Sequence, residues 1–171
     1  MLLEGLEPLI RAGVRQHLWP VIDSKSIVDL GRDAILAMLP HRDPFLFVDR
    51  ITALDVRGNR IAGRRFISPD DPIFSGHFPG HPVYPGVLQL EMIGQVGLCL
   101  LHSASSAQGM NIRAVRIHHA VFLHEVSGDE WVDVIATIVR SDEYGAICSG
   151  QILTGETICA FGIMEVFFVE R

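Results

Sequence analysis

The chain has 171 residues, 49% of them hydrophobic, and a formal net charge of −6. That length supports one domain of ordinary size with a single core. The acidic balance argues against nucleic acid as a partner, because a nucleic-acid binder carries a basic footprint.

Early in the chain Glu4 and Glu7 precede Arg11 and Arg15, with no long apolar run and cleavage site of the kind a signal peptide carries. No stretch approaches the roughly 18 consecutive apolar residues of a membrane span. A cytoplasmic protein without a membrane partner is therefore expected. Of the 14 positive residues only Lys25 is a lysine. The three cysteines, Cys99, Cys148 and Cys159, lie among apolar residues without metal-ligand spacing and are expected as buried free thiols.

Over residues 1 to 25, Leu2, Leu3, Leu6, Leu9, Ile10, Val14 and Leu18 recur near helical spacing and stop before Trp19 and Pro20, predicting a short amphipathic helix. Asp29 is expected to cap a second helix from Leu30 to Leu39, with Pro40 and Pro44 forcing an irregular crossing. Phe45 to Thr52 reads as a strand and Arg57 to Ile67 as its hairpin partner, turned at Gly58 and Asn59. Ser68 to Pro85 is too rich in proline and glycine for a regular element, yet it holds His77, Phe78 and His81. Val87 to Leu101 is apolar on almost every side, the mark of a helix surrounded by protein.

A polar turn at Ser103 to Gly109 leads to strand-like runs near Ile112 to Leu123, Trp131 to Arg140, Gly145 to Leu153 and Glu156 to Val169, read as an antiparallel meander. The resulting class is α+β, one long apolar helix held by one curved antiparallel sheet. Residues 1–26 form an N-terminal helical extension and 27–171 the domain proper.

Chemistry concentrates between Phe74 and Gln95. A carboxylate at Glu91, in the middle of an apolar helix, loses hydration unless it is partnered or keeps its proton, and a protonated carboxyl is what a general acid near neutral pH must be. Gln95, four residues on, shares its helical face and is placed to orient it. The plainer reading is a partly exposed residue, or one neutralised by an arginine. His77 is a serviceable base near neutral pH, although a histidine in such a loop is by itself weak evidence. Pro85-Gly86 opens the helix, so the Gly86 N–H lacks an internal partner and suits an oxygen gaining negative charge, although by itself the pair reads more simply as an ordinary helix start after proline. His77 and His81 flank Phe78-Pro79-Gly80 and cannot present a helical zinc motif, so no metal is expected and His81 is read as a loop brace. Ser75 and Ser149 lack a nucleophile elbow.

Leu39-Pro-His-Arg42, Pro44-Phe45, Val48-Asp-Arg50, Gly76-His-Phe-Pro-Gly-His-Pro82 and Pro85-Gly-Val87 with Glu91 and Gln95 closely resemble the β-hydroxyacyl-acyl carrier protein dehydratases of bacterial type II fatty acid synthesis. The resemblance runs over about residues 27 to 169 and is nearer the FabZ branch, which only dehydrates, than the FabA branch, which also isomerises. It implies a hot-dog fold and a homodimer or trimer of dimers, or a heterodimer with a related subunit. It also implies His77 and Glu91 as catalytic residues from opposite subunits, a Gly86 amide on the thioester carbonyl and Gln95 in support of Glu91. Phe78 and Tyr84 are expected to contact substrate, which would arrive on the phosphopantetheine of an acyl carrier protein. No metal or redox cofactor is implied.

The implied reaction is dehydration of a (3R)-3-hydroxyacyl thioester to the trans-2-enoyl product, with an auxiliary non-catalytic subunit or a thioester hydrolase as alternatives. Three departures stand out: Asp43 where a bulky aromatic is usual, Tyr84 where methionine is common, and His118, His119 and His124 in a strand that is usually basic. Arg113 and Arg116 are the candidates for touching an acidic carrier protein.

Overall fold

In a computed structural model, which describes residues 5–104 and 110–170, one seven-stranded antiparallel sheet wraps a long helix. The helix, α3 (Gly86–Ser103), buries Met92, Ile93, Val96, Cys99, Leu100 and Leu101 against the inner face of the sheet. Among the described residues no helix is long and apolar enough to cross a membrane.

The strands β1 (Ile27–Leu30), β2 (Arg50–Asp55), β3 (Arg60–Ile67), β4 (Asn111–Phe122), β5 (Glu130–Ser141), β6 (Gly145–Thr154) and β7 (Thr157–Val169) lie in the spatial order β1-β2-β3-β5-β6-β7-β4. β2 and β3 form the expected hairpin, with Asn59 at φ 55° in the turn. There the Arg60 guanidinium and the Gly58 N–H hold the Asp55 carboxyl below the usual carboxylate range. The expected meander holds from β5 to β7 but fails at its first connection: β4 lies at the far edge beside β7 rather than next to β5.

The sheet accepts the helix closely because Gly150 and Gly162 face each other in neighbouring strands. An added Cβ would lie 2.4 Å from Ile93 at Gly150 and 2.7 Å from Leu90 at Gly162. Those two side chains occupy the hollow that the paired glycines leave.

Two N-terminal expectations need correction. Asp29 caps no helix: it lies in β1, where its carboxylate accepts from Arg50, and α2 (Arg32–Met38) starts after Gly31 without a side-chain cap. Phe45 to Asp49 is irregular rather than the start of a strand. Its backbone is held by a side chain instead of a ladder, since Gln95 donates to Phe45 O at 2.9 Å and accepts from Phe47 N at 2.8 Å.

The first helix is short, α1 (Glu7–Gly13), and Leu2 and Leu3 lie outside the described residues, as does most of the Ser103 to Gly109 turn. With Leu6, Leu9, Ile10, Val14 and Leu18 the segment covers the outer face of the sheet over Ile147, Phe161 and Ile163. Trp19 continues the cover over Ala53, Ala62, Ile135 and Leu153. Gln151, fully buried, pins the strap: its amide accepts from Leu18 N at 2.8 Å and donates to the carbonyls of Gly13 and Gln16.

Candidate active site

The Pro-Gly segment is irregular but closely bonded. Asp71 accepts from Ile73 N at 3.0 Å and starts a 3-10 turn over Pro72–Ser75, and His77 N then donates back to Ile73 O at 3.0 Å. Val83 N donates to His77 O at 3.1 Å, while the His77 ring places Nδ1 2.8 Å from Val83 O. A carbonyl only accepts, so Nδ1 carries the hydrogen, and in the neutral ring the lone pair that a general base requires is then on Nε2. Phe78 stacks on the imidazole with ring centroids 4.0 Å apart. His81 braces the loop as expected, its Nε2 3.1 Å from Glu125 Oε2.

His77 opens on a cavity of about 340 Å³ whose wall includes Tyr84, Gly86, Val87, Gln89 and Phe122. Gly86 is the first residue of α3, where an amide points away from the helix without an internal acceptor. Tyr84 is mainly a core residue: its ring meets Phe74 edge-on, and burial pushes its hydroxyl up to about 12. Gln89 had no place in the sequence reading. Its side chain is buried, its Nε2 donates to Tyr84 O at 3.3 Å, and its Oε1 has no partner among the described residues.

Glu91 lines a larger cavity of about 680 Å³ between α2, α3 and β4. The helix does not submerge the carboxylate, whose side chain is 32% exposed. Gln95 donates to Glu91 Oε1 at 2.9 Å, one helical turn away as expected. The neighbour that meets it is not an arginine but His41, with Nε2 3.5 Å from the same oxygen. His41 was visible only as part of the Leu39-Pro-His-Arg42 motif, since nothing local says that this loop returns to α3. Leu36, Met38, Leu98, Ile117 and Met164 give the cavity an apolar wall suited to a hydrocarbon chain.

Within one chain, then, His77 and Glu91 serve different cavities. Val87, 68% exposed, belongs to the wall of both; Phe122, on the wall of the smaller, is exposed too, as is Phe78 on the His77 ring. Of the two arginines considered for a carrier protein, Arg113 lines the larger cavity, whereas Arg116 faces Glu165 at 3.9 Å. Glu165 also meets His118, 2.9 Å from its Nε2. Asp43 pairs with Arg32 at the surface.

A family model for the FabA-like domain matches residues 39–157, a span that contains His41, His77, Glu91 and Gln95. The 3-hydroxyacyl-[acyl-carrier-protein] dehydratase FabZ of Xylella fastidiosa strain M12 is 38% identical over 136 residues, 76% of this chain and 84% of that enzyme. The chain belongs to the FabZ-type dehydratase family.

A second FabZ dehydratase, from Syntrophomonas wolfei, is 48% identical over 82 residues, 56% of its length. Among solved structures the dehydratase heterocomplex ApeI:P from Xenorhabdus doucetiae superposes with a TM-score of 0.59 over 80% of this chain and 91% of that one, at 16% identity. The likeness establishes the hot-dog fold of this FabZ-type chain: a curved antiparallel sheet around one central helix, in the α+β class.

Proposed function

We infer that this FabZ-type protein dehydrates (3R)-3-hydroxyacyl thioesters carried on acyl carrier protein to the trans-2-enoyl product, in cytoplasmic fatty acid or polyketide-type synthesis. Residues 27–171 are the catalytic unit and 1–26 an N-terminal extension, whose stretch from Leu6 to Trp19 covers the outer face of the sheet. His77 Nε2 removes a proton from C2, and the electron pair moves toward the thioester carbonyl, whose oxygen is met by the Gly86 N–H. As the C2–C3 double bond forms, the C3–O bond breaks and Glu91 protonates the departing hydroxyl, which leaves as water. Phe78 and the Tyr84 segment flank the thioester, and the acyl chain extends along the apolar cavity beyond Glu91. The residues supply both proton transfers themselves.

The observation that carries this reading is the His77 ring, whose Nδ1 is committed to Val83 O so that Nε2 is free to act as base. Its separation from Glu91 is resolved by a second copy. β4 is a 12-residue edge strand with Val115, Ile117 and Phe122 exposed, and such an edge is a template for pairing with its own equivalent. A two-fold contact there would cover the ridge at Val87, so that His77 of one copy meets Glu91 of the other.

The test is an assay of the purified chain with 3-hydroxyacyl carrier proteins of graded length, read by mass spectrometry for loss of water. Release of free thiol without dehydration would make the chain a hydrolase. Activity that appears only after a related subunit is added would make it an auxiliary subunit.

A further inference from the structure

Gln95, Phe45 and His41 close a ring on Glu91. Gln95 donates to its Oε1 at 2.9 Å and to Phe45 O at 2.9 Å; the Phe45 ring stacks on His41 with centroids 6.4 Å apart; and His41 Nε2 returns to the same Oε1 at 3.5 Å. The loop that brings His41 there is held by Arg42, whose guanidinium donates to the carbonyls of Leu36, Leu39 and His41. Gln95 thus hydrogen-bonds Oε1, and His41 Nε2 stands beside the same oxygen at 3.5 Å, within reach of a hydrogen bond that the free chain does not yet make. No hydrogen bond among the described residues reaches Oε2.

The other side of the His41 ring restricts its charge. Nδ1 is buried and has no hydrogen-bond partner among the described residues. A neutral imidazole leaves Nδ1 as a bare acceptor and presents Nε2–H to Glu91. An imidazolium would instead bury a second N–H with nothing to receive it, an arrangement the interior disfavours. That distinction bears on catalysis, because a full positive charge beside a carboxyl favours its ionised form, and an ionised Glu91 has no proton to give.

We propose that His41 is a positioning residue for the general acid: as a neutral Nε2–H donor it fixes Glu91 Oε1 beside the Gln95 amide, so that the transferable proton resides on Oε2. When the proton leaves, both donors already face the oxygen that shares the new negative charge, so little reorganisation is needed. The remaining charged or titratable groups lining this cavity are Arg42, engaged with the three carbonyls, and His102 and Arg113. The proposal rests on Glu91 being the acid of the dehydration inferred above.

The experiment compares His41→Ala, His41→Gln and His41→Lys with Glu91→Gln, measuring kcat and KM on a 3-hydroxyacyl carrier protein across pH. Each protein is first checked for folding by thermal unfolding. His41→Ala should lose about tenfold in kcat with KM changed by no more than about twofold. His41→Gln, which returns a neutral N–H near the place of Nε2, should recover most of that loss. His41→Lys should begin its alkaline fall in rate at lower pH than the parent protein. Wild-type kcat in the alanine protein, an effect confined to KM, or an unmoved alkaline limb in the lysine protein would overturn the proposal. If the alanine protein does not fold, the glutamine and lysine proteins decide through the pH profile. An active Glu91→Gln protein would remove the acid itself and His41 with it, whereas an inactive one beside indifferent His41 variants would remove His41 alone.

Discussion

His77 and Glu91 line separate cavities that share Val87, so under the function proposed above each would be one half of a site completed by a second copy. Two half-sites joined across a two-fold make a prediction that single substitutions cannot. His77→Ala and Glu91→Gln should each lower turnover by about 10²-fold or more while leaving the fold intact. Unfolded together and refolded, the two should recover about a quarter of wild-type activity, since half the dimers are mixed and each mixed dimer rebuilds one of its two sites. No recovery in the mixture would mean that both groups act within a single chain.

Gln95 is fully buried and joins two parts of the molecule, so its replacement should have two effects. Gln95→Leu leaves Phe47 N without its acceptor and Glu91 without its amide donor. A stability loss of about 1–3 kcal/mol is expected from the orphaned backbone group. Urea unfolding reads that loss, and a fall in kcat at matched folded fraction reads the effect on the acid.

Gly150 bears on packing alone. A methyl group there would stand 2.4 Å from Ile93 and 2.7 Å from Ile135 O, and a backbone oxygen in a central strand has little freedom to retreat. Gly150→Ala should destabilise by about 1–3 kcal/mol, measured by the urea midpoint. Unchanged stability would mean that α3 sits less tightly on the sheet than described.

Burial pushes the thiols of Cys99 and Cys148 from 9.0 up to about 12. The folded protein therefore keeps both protons in a pH range where the unfolded chain gives them up. Their contribution to stability is complete below pH 9 and is lost as the pH rises toward about 12. Tyr84, pushed from 10.0 up to about 12, adds to the same alkaline decline. Urea midpoints taken at neutral and alkaline pH should converge in a Cys99→Ala, Cys148→Ala protein more than in the parent. Parallel declines would show that other groups control the alkaline limit.

The sequence by itself determined what repeats or is spelled out locally. The all-round apolar run at Val87 to Leu101 became α3, and the four late apolar runs became β4 to β7 within a residue or two at most ends, because helix and strand periods are written in neighbouring residues. Spacing also placed Gln95 one turn from Glu91, and the motif from Gly76 to Gln95 identified the dehydratase family. Tertiary structure alone decided the pairings between residues far apart in the chain. β4 crossed to the edge beside β7, the Phe45 segment gave up its strand to bond Gln95, and Asp29 left its predicted cap for Arg50. His41 reached Glu91 across 50 residues, and the N-terminal strap found the buried amide of Gln151. A hydrogen-bonding side chain has the same composition wherever its partner lies, so only the closed sheet shows which of its possible partners it meets.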